Sequence, residues 1–263
     1  MIKAIFFDVD GTLLSFSSHQ MPESTRLALN KLKEKGVKIF VATGRPPLSF
    51  ERIFEKLDFD FDGFIYTNGQ YIVYEKEVIH DMPLPEEDME KIVKYIEANE
   101  IATSFSEMEY NYVNLTNKRM EDFMELMGAT ISNFRIDDVE RTRTNPTYQI
   151  SPYISIDEEE AFFAQAPNLK GVRWCDYFTD VIPKDGGKDK AIERLINKLG
   201  IKREECMAFG DGGNDADMLS YVGCGIAMGN AVDQAKLVSD YVTSSVDDDG
   251  VYKALVKFGV IEE

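Results

Sequence analysis

IFFDVDGTLL, residues 5–14, runs from three large apolar side chains straight into two carboxylates and a glycine. Ile5, Phe6 and Phe7 have the character of a buried strand, and Gly11-Thr12 that of the turn ending it. Side chains alternate along a strand, so Asp8 and Asp10 are expected to point the same way at its carboxyl end. Two like charges held that close repel. A metal ion is the obvious compensation.

Working outward, strand and helix signals alternate. Residues 23–35 read as a helix with Leu27, Ala28 and Leu32 on one face and Gly36 as its stop. VKIFVATGR (37–45) is a second apolar strand ending at Thr43-Gly44, and a strand and hairpin follow over 64–79 with Asn68-Gly69 as a turn. Near the far end, residues 188–199 carry Ala191, Ile192, Leu195, Ile196 and Leu199 on one stripe, closed by Gly200. CMAFGD, CGIAMG and DYVTSS supply three more short strands. This alternation implies a largely parallel sheet covered by helices on both faces.

The middle of the chain differs. A helix carries Met89, Ile92, Val93 and Ile96 on one side, and then strands separated by short turns run to about residue 183, with helices near 118–127 and 157–166. The expected organisation is an α/β core of 1–83 and 184–263, with an α+β module of 84–183 inserted between Pro83 and Pro183.

The chain has 263 residues, is 44% hydrophobic and carries a formal net charge of −18. So acidic a surface disfavours DNA, RNA and anionic membranes as partners, and any phosphate must be held by local donors. No apolar run approaches the roughly 18 residues of a membrane helix. One Lys before a short apolar stretch broken at Asp8 does not read as a signal peptide. Cys175, Cys206 and Cys224 are odd in number and form no CxxC pair. They fit free thiols of a reducing cytoplasm.

In open parallel sheets ligands bind at the carboxyl ends of the strands. Four motifs fall there: Asp8 and Asp10; Thr43-Gly44-Arg45; GDGGND (210–215), with Asp211, Asn214 and Asp215; and Lys188, which opens the helix before the CMAF strand. Taken singly, each has a bland reading as a turn, a strand end or a surface charge. Calcium loops fail, because the twelfth position is His19 counted from Asp8 and Val222 counted from Asp211, where a glutamate is needed. The glycines of GCGIAMG (223–229) do not follow a strand as a dinucleotide fingerprint requires, and there is no P-loop.

The order DVDGT, TGR, a lysine opening a late helix, then GDGGND resembles the haloacid dehalogenase (HAD) superfamily of aspartate-nucleophile phosphatases. The inserted module resembles the type IIB cap of its Cof-type branch. The resemblance implies a Rossmann-like core, with Asp8 as nucleophile forming an aspartyl-phosphate and Asp10 as general acid and base. It also implies Mg²⁺ bound by Asp8, the Asp10 carbonyl and Asp211, with Asp215 orienting the metal's waters. Thr43, Asn214, Lys188 and the Val9 and Gly44 amides would hold the phosphoryl oxygens, and Lys188 would keep Asp8 ionised. Arg45 would touch the phosphate or the leaving group.

The expected activity is hydrolysis of small phosphate monoesters, with hexose or related sugar phosphates favoured. A sugar-phosphate phosphomutase shares every core motif and stays open, and a non-catalytic phospho-acceptor, such as a receiver domain, is the more distant alternative. Trp174 and Asp180, with Tyr177 and Phe178, lie on late strands of the inserted module and could meet the leaving group. Aromatics at that spacing equally suit a module core.

Overall fold

The computed structural model describes residues 1–127 and 135–263; of the expected inserted module, 128–134 lie outside the described residues. The chain begins β1 (Ala4–Phe7), α1 (Glu23–Glu34), β2 (Lys38–Ala42), α2 (Pro47–Leu57), β3 (Gly63–Tyr66), β4 (Tyr71–Tyr74) and β5 (Glu77–Asp81). It continues α3 (Glu86–Ala98), β6 (Thr103–Ser106), β7 (Asn111–Val113), α4 (Lys118–Met127), β8 (Arg135–Ile136), β9 (Gln149–Pro152), α5 (Glu159–Phe163), β10 (Leu169–Val172) and β11 (Asp180–Pro183). It closes with α6 (Lys188–Leu199), β12 (Cys206–Gly210), α7 (Ala216–Tyr221), β13 (Cys224–Ala227), α8 (Asp233–Val238), β14 (Tyr241–Val242) and α9 (Gly250–Lys257). Two compact units result: Met1–Gly44, Glu51–Asp81 and Gly186–Glu263 form the first, Arg45–Phe50 and Met82–Asp185 the second.

In the first unit, the described residues form an eight-stranded sheet in the order β14-β13-β12-β1-β2-β3-β4-β5. It is parallel from β14 to β3, and β4 and β5 add an antiparallel edge. β1 is central because all four of its side chains are apolar and fully buried. Phe6 stacks on Phe40 of β2 at 5.1 Å and Phe7 on Phe209 of β12 at 5.0 Å. The order runs away from β1 in both directions, to β2 on one side and β12 on the other, so a crevice opens at its carboxyl end. Phe7 is in register with Val41 and Phe209, which brings Asp8, Thr43 and Asp211 to one edge.

Two local expectations need correction. Leu27 does not share the buried face of α1; it is 48% exposed, and Leu29 is buried with Thr25, Ala28 and Leu32. At about 100° per residue, Leu27 and Leu32 are far apart around the helix, whereas 25, 28, 29 and 32 form one stripe. The hairpin region also contains two reversals. Residues 67–70 turn β3 into β4, and Glu75-Lys76, both with positive φ, turn β4 into β5. α6 does match its stripe, and Gly200 ends it in the left-handed conformation at φ 65°.

The second unit has a six-stranded sheet among the described residues, in the order β10-β11-β9-β6-β7-β8. Phe105, Tyr112, Ile150 and Val181 on one face pack with Ile92 and Ile96 of α3. Pleating sends their neighbours the other way. Ser104, Ser106, Asn111, Gln149 and Ser151 meet in register on that second face, and the Ser151 hydroxyl donates to Asp180 at 2.7 Å. That second face thus carries hydroxyl and amide groups beside a smaller apolar cluster, in which Ala102, Val113 and Tyr153 pack with Met120 and Phe123 of α4.

Candidate active site

β1 ends at Phe7, so strand alternation stops short of the two aspartates. A tight turn positions them instead: the Val9 carbonyl accepts from the amides of Thr12, Leu13 and Leu14, and the Gly11 amide donates to the Leu14 carbonyl at 2.8 Å. Gly11 makes the turn possible. Its φ is +89°, and a Cβ there would collide with the Asp211 carboxylate and the Phe16 ring. Asp10 still lies close enough for its charge to act on Asp8.

Lys188, at the first turn of α6, is fully buried and reaches two carboxylates at once. Its ammonium donates to Asp8 Oδ1 at 2.7 Å and to Asp215 Oδ1 at 2.6 Å. The other oxygen of Asp215 accepts from the backbone amides of Asp211 and Gly212, both at 2.9 Å. Asp215 thus locks the turn that aims Asp211 into the crevice. Asp211 Oδ1 accepts from the Thr12 hydroxyl at 2.7 Å, which ties the first motif to the last.

Oxygens of Asp8, Asp211 and Asp215 can all approach within 4.8 Å of one another. With all three carboxylates ionised, one ammonium would leave two negative charges uncompensated in the cluster. Burial pushes Asp8 up to about 7, with the Asp215 charge adding to the effect and Lys188 opposing it. Burial also holds Asp211 well above the carboxylate range, reinforced by Asp8 and Asp215. For Lys188, burial acts downward, but the two facing carboxylates outweigh it and hold the ammonium firmly protonated. One cation shared among several anions is itself well stabilised and leaves the anions crowded. A cluster of hard oxygen donors with surplus negative charge fits a hard divalent cation, which would remove that crowding.

Thr43 is buried; its amide donates to the Ile65 carbonyl at 2.8 Å and its carbonyl accepts from the Asn68 amide at 3.0 Å. Gly44 follows it at the same edge. Asn214 sits in the turn Gly213–Asp215. Arg45, Trp174 and Asp180 belong to the second unit. There the Trp174 ring packs edge-on against Phe123 at 5.8 Å and Phe178 at 5.7 Å, and Asp180 is buried against Ser151.

A family model described as haloacid dehalogenase-like hydrolase matches residues 5–255. The chain belongs to that family. A Bacillus subtilis protein named "Putative phosphatase YkrA" is 35% identical over 260 residues, 99% of each chain. A HAD subclass IIB sugar phosphatase of known structure is 36% identical, covers 98% of this chain and 100% of its own, and aligns with a TM-score of 0.88. A phosphatase from Bacteroides thetaiotaomicron aligns at 0.91 with 33% identity over 99% of this chain and 96% of its own. The protein is a Cof-type HAD phosphatase, a phosphoric monoester hydrolase, with a Rossmann-like core and an inserted α+β cap.

Two residues outside the expected set join the site of this HAD phosphatase. Thr12 fixes Asp211, and its signal was its place in the DVDGT run. Asn68 accepts a hydrogen bond from Asn214 Nδ2 at 3.1 Å. As an isolated dipeptide Asn68-Gly69 signals only a turn, but a turn after a parallel strand lies on the ligand-binding edge of the sheet. Among the described residues no helix is long and apolar enough to cross a membrane.

Proposed function

We propose that this phosphatase hydrolyses small sugar phosphates with Mg²⁺ as cofactor, through an aspartyl-phosphate on Asp8. The observation that carries this reading is the buried cluster in which Asp8, Asp211 and Asp215 share Lys188. Asp8, the Asp10 carbonyl and Asp211 would hold the ion, with Asp215 behind them. Bound there, Mg²⁺ supplies positive charge that lets an anionic ester approach a carboxylate.

The chain's own residues perform the rest. An Asp8 oxygen attacks phosphorus, the bond to the leaving oxygen breaks, and Asp10 gives that oxygen its proton. Asp10 then takes a proton from water, whose oxygen attacks the phosphoryl group and breaks its bond to Asp8. Inorganic phosphate leaves and Asp8 is regenerated. Thr43, Asn214, Lys188 and the Val9 and Gly44 amides face the phosphoryl oxygens, where transition-state charge gathers. Arg45 adds a cation for the phosphate or leaving group. Residues 84–183 form the cap that chooses the ester; the hydroxyl- and amide-rich sheet face from Ser104 to Asp180 suits a polyhydroxylated leaving group. Trp174 and Asp180 are the named candidates for contact with it. Three free thiols, Cys175, Cys206 and Cys224, suit a cytoplasmic location.

The test is phosphate release from a panel of sugar phosphates, nucleotides and phosphorylated cofactors, with Mg²⁺ and with a chelator. Sugar phosphates should lead and chelation should stop turnover; undiminished rates under chelation, or a panel led by nucleotides, would refute the reading. Asp211→Ala should raise the Mg²⁺ needed for half-maximal activity by about 100-fold, since a hard cation loses one of few protein oxygens. An unchanged requirement would remove Asp211 from the metal site.

A pH effect follows from Asp8. Its folded-state pKa is raised to about 7, so what it contributes to metal-free stability is full below its unfolded value near 3.8 and is lost as pH rises through 7. Protons and Mg²⁺ relieve the same crowding. Added Mg²⁺ should therefore raise the melting temperature more at about pH 8 than at about pH 5. Thermal melts at the two pH values check this, and an equal or reversed shift would contradict it.

A further inference from the structure

The turn joining β3 to β4 has an unusual backbone. Thr67, Asn68 and Gly69 have φ of 48°, 52° and 107°, three left-handed residues in succession, the first of them β-branched. Left-handed residues normally occur singly, and a β-branched one there is strained. Such strain persists where the surroundings over-determine it, often beside a functional group. The surroundings are close here: a Cβ on Gly69 would collide with the Gly187 carbonyl, immediately before Lys188. Asn68 is 1% exposed. Its amide donates to the Thr43 carbonyl at 3.0 Å and its side-chain oxygen accepts from Asn214 Nδ2 at 3.1 Å.

We infer that Asn68 is a positioning residue, which orients the Asn214 carboxamide so that it presents an N–H rather than an oxygen to the phosphoryl group. This rests on the proposed role of Asn214 in phosphate binding. A carboxamide is ambivalent: turned over, it offers lone pairs in place of two donors. In a crevice already holding Asp8, Asp211 and Asp215, an oxygen aimed at an anionic ester would add repulsion. With the Asn68 oxygen facing it, a turned Asn214 would set two carbonyl oxygens against each other, so Asn214 can turn only if Asn68 turns with it. One hydrogen of Nδ2 is used by Asn68, and the second remains for the substrate.

A double-mutant cycle tests this, using a small phosphate monoester as substrate and inorganic phosphate as competitive inhibitor. Asn68→Gly suits the left-handed backbone and deletes only the side chain. Asn214→Ala should lower kcat/KM by about 100-fold and Asn68→Gly by about tenfold, with phosphate inhibition weakened in both. The double variant should resemble Asn214→Ala alone, whereas independent sites would multiply to about 1,000-fold. Asn68→Ala lacks the same oxygen without glycine's extra freedom and should reproduce the glycine result, which separates lost positioning from a loosened turn. Multiplying effects, or wild-type activity in both Asn68 variants, would overturn the inference and leave the role of Asn214 standing. Wild-type activity in Asn214→Ala would instead remove Asn214 from the phosphate site and the inference with it.

Discussion

Asp8→Asn should abolish turnover, by at least about 10⁴-fold, while leaving the fold intact. The amide has the shape of the carboxylate and can still accept from Lys188, but it has no charge with which to attack phosphorus. Its effect on stability runs the other way. Burial and the Asp215 charge disfavour ionised Asp8, so a neutral group at that position relieves the metal-free cluster above about pH 7. Metal-free Asp8→Asn should melt no lower than the wild type at alkaline pH, and the benefit of Mg²⁺ should shrink. Phosphate-release assays and thermal melts on one preparation read both effects. Activity within tenfold of wild type would end the covalent mechanism, and a lower melting temperature would contradict the crowding described for the cluster.

Lys188→Met should be the most damaging single change to stability in the site. The ammonium is fully buried between Asp8 and Asp215, and removing one partner from a buried ion pair leaves charge with no compensation, a loss of about 3–5 kcal/mol near neutral pH. The loss should fade on acidification, because Asp8, already pushed up to about 7 by burial, takes up a proton more readily once its cation is gone. Turnover should fall by about 10³-fold or more, since Lys188 also faces the transferring phosphoryl group in the proposed mechanism. Urea unfolding at about pH 7.5 and about pH 5 distinguishes this from a packing defect. A methionine that merely fits badly would cost the same at both pH values.

Much of this was legible from short stretches of chain. The apolar run before Asp8, the stripe and terminal glycine of α6, and the four motifs at strand ends are local patterns, and local patterns reflect local physics: pleating, the helical period and turn geometry. They sufficed for an α/β fold with a carboxylate site on one sheet edge. Even so, locality misled where a face was judged from neighbouring letters, as with Leu27.

Partnerships across the chain were of another kind. Lys188 meets Asp8 across 180 positions and Asp215 across 27, and Asn214 meets Asn68 across 146. Nothing in either partner's immediate surroundings specifies such a pairing. It follows from the order β12-β1-β2-β3, which sets the ends of strands remote in sequence side by side. The same holds for charge. Asp8 as a letter is an ordinary acid; its raised pKa comes first from burial and then from the charge of Asp215, which another strand delivers, with the neighbouring Asp10 adding to it. Residue types named the chemistry available to this protein, and the strand order decided which groups share one lysine, because only packing removes water from between charges and fixes their separation.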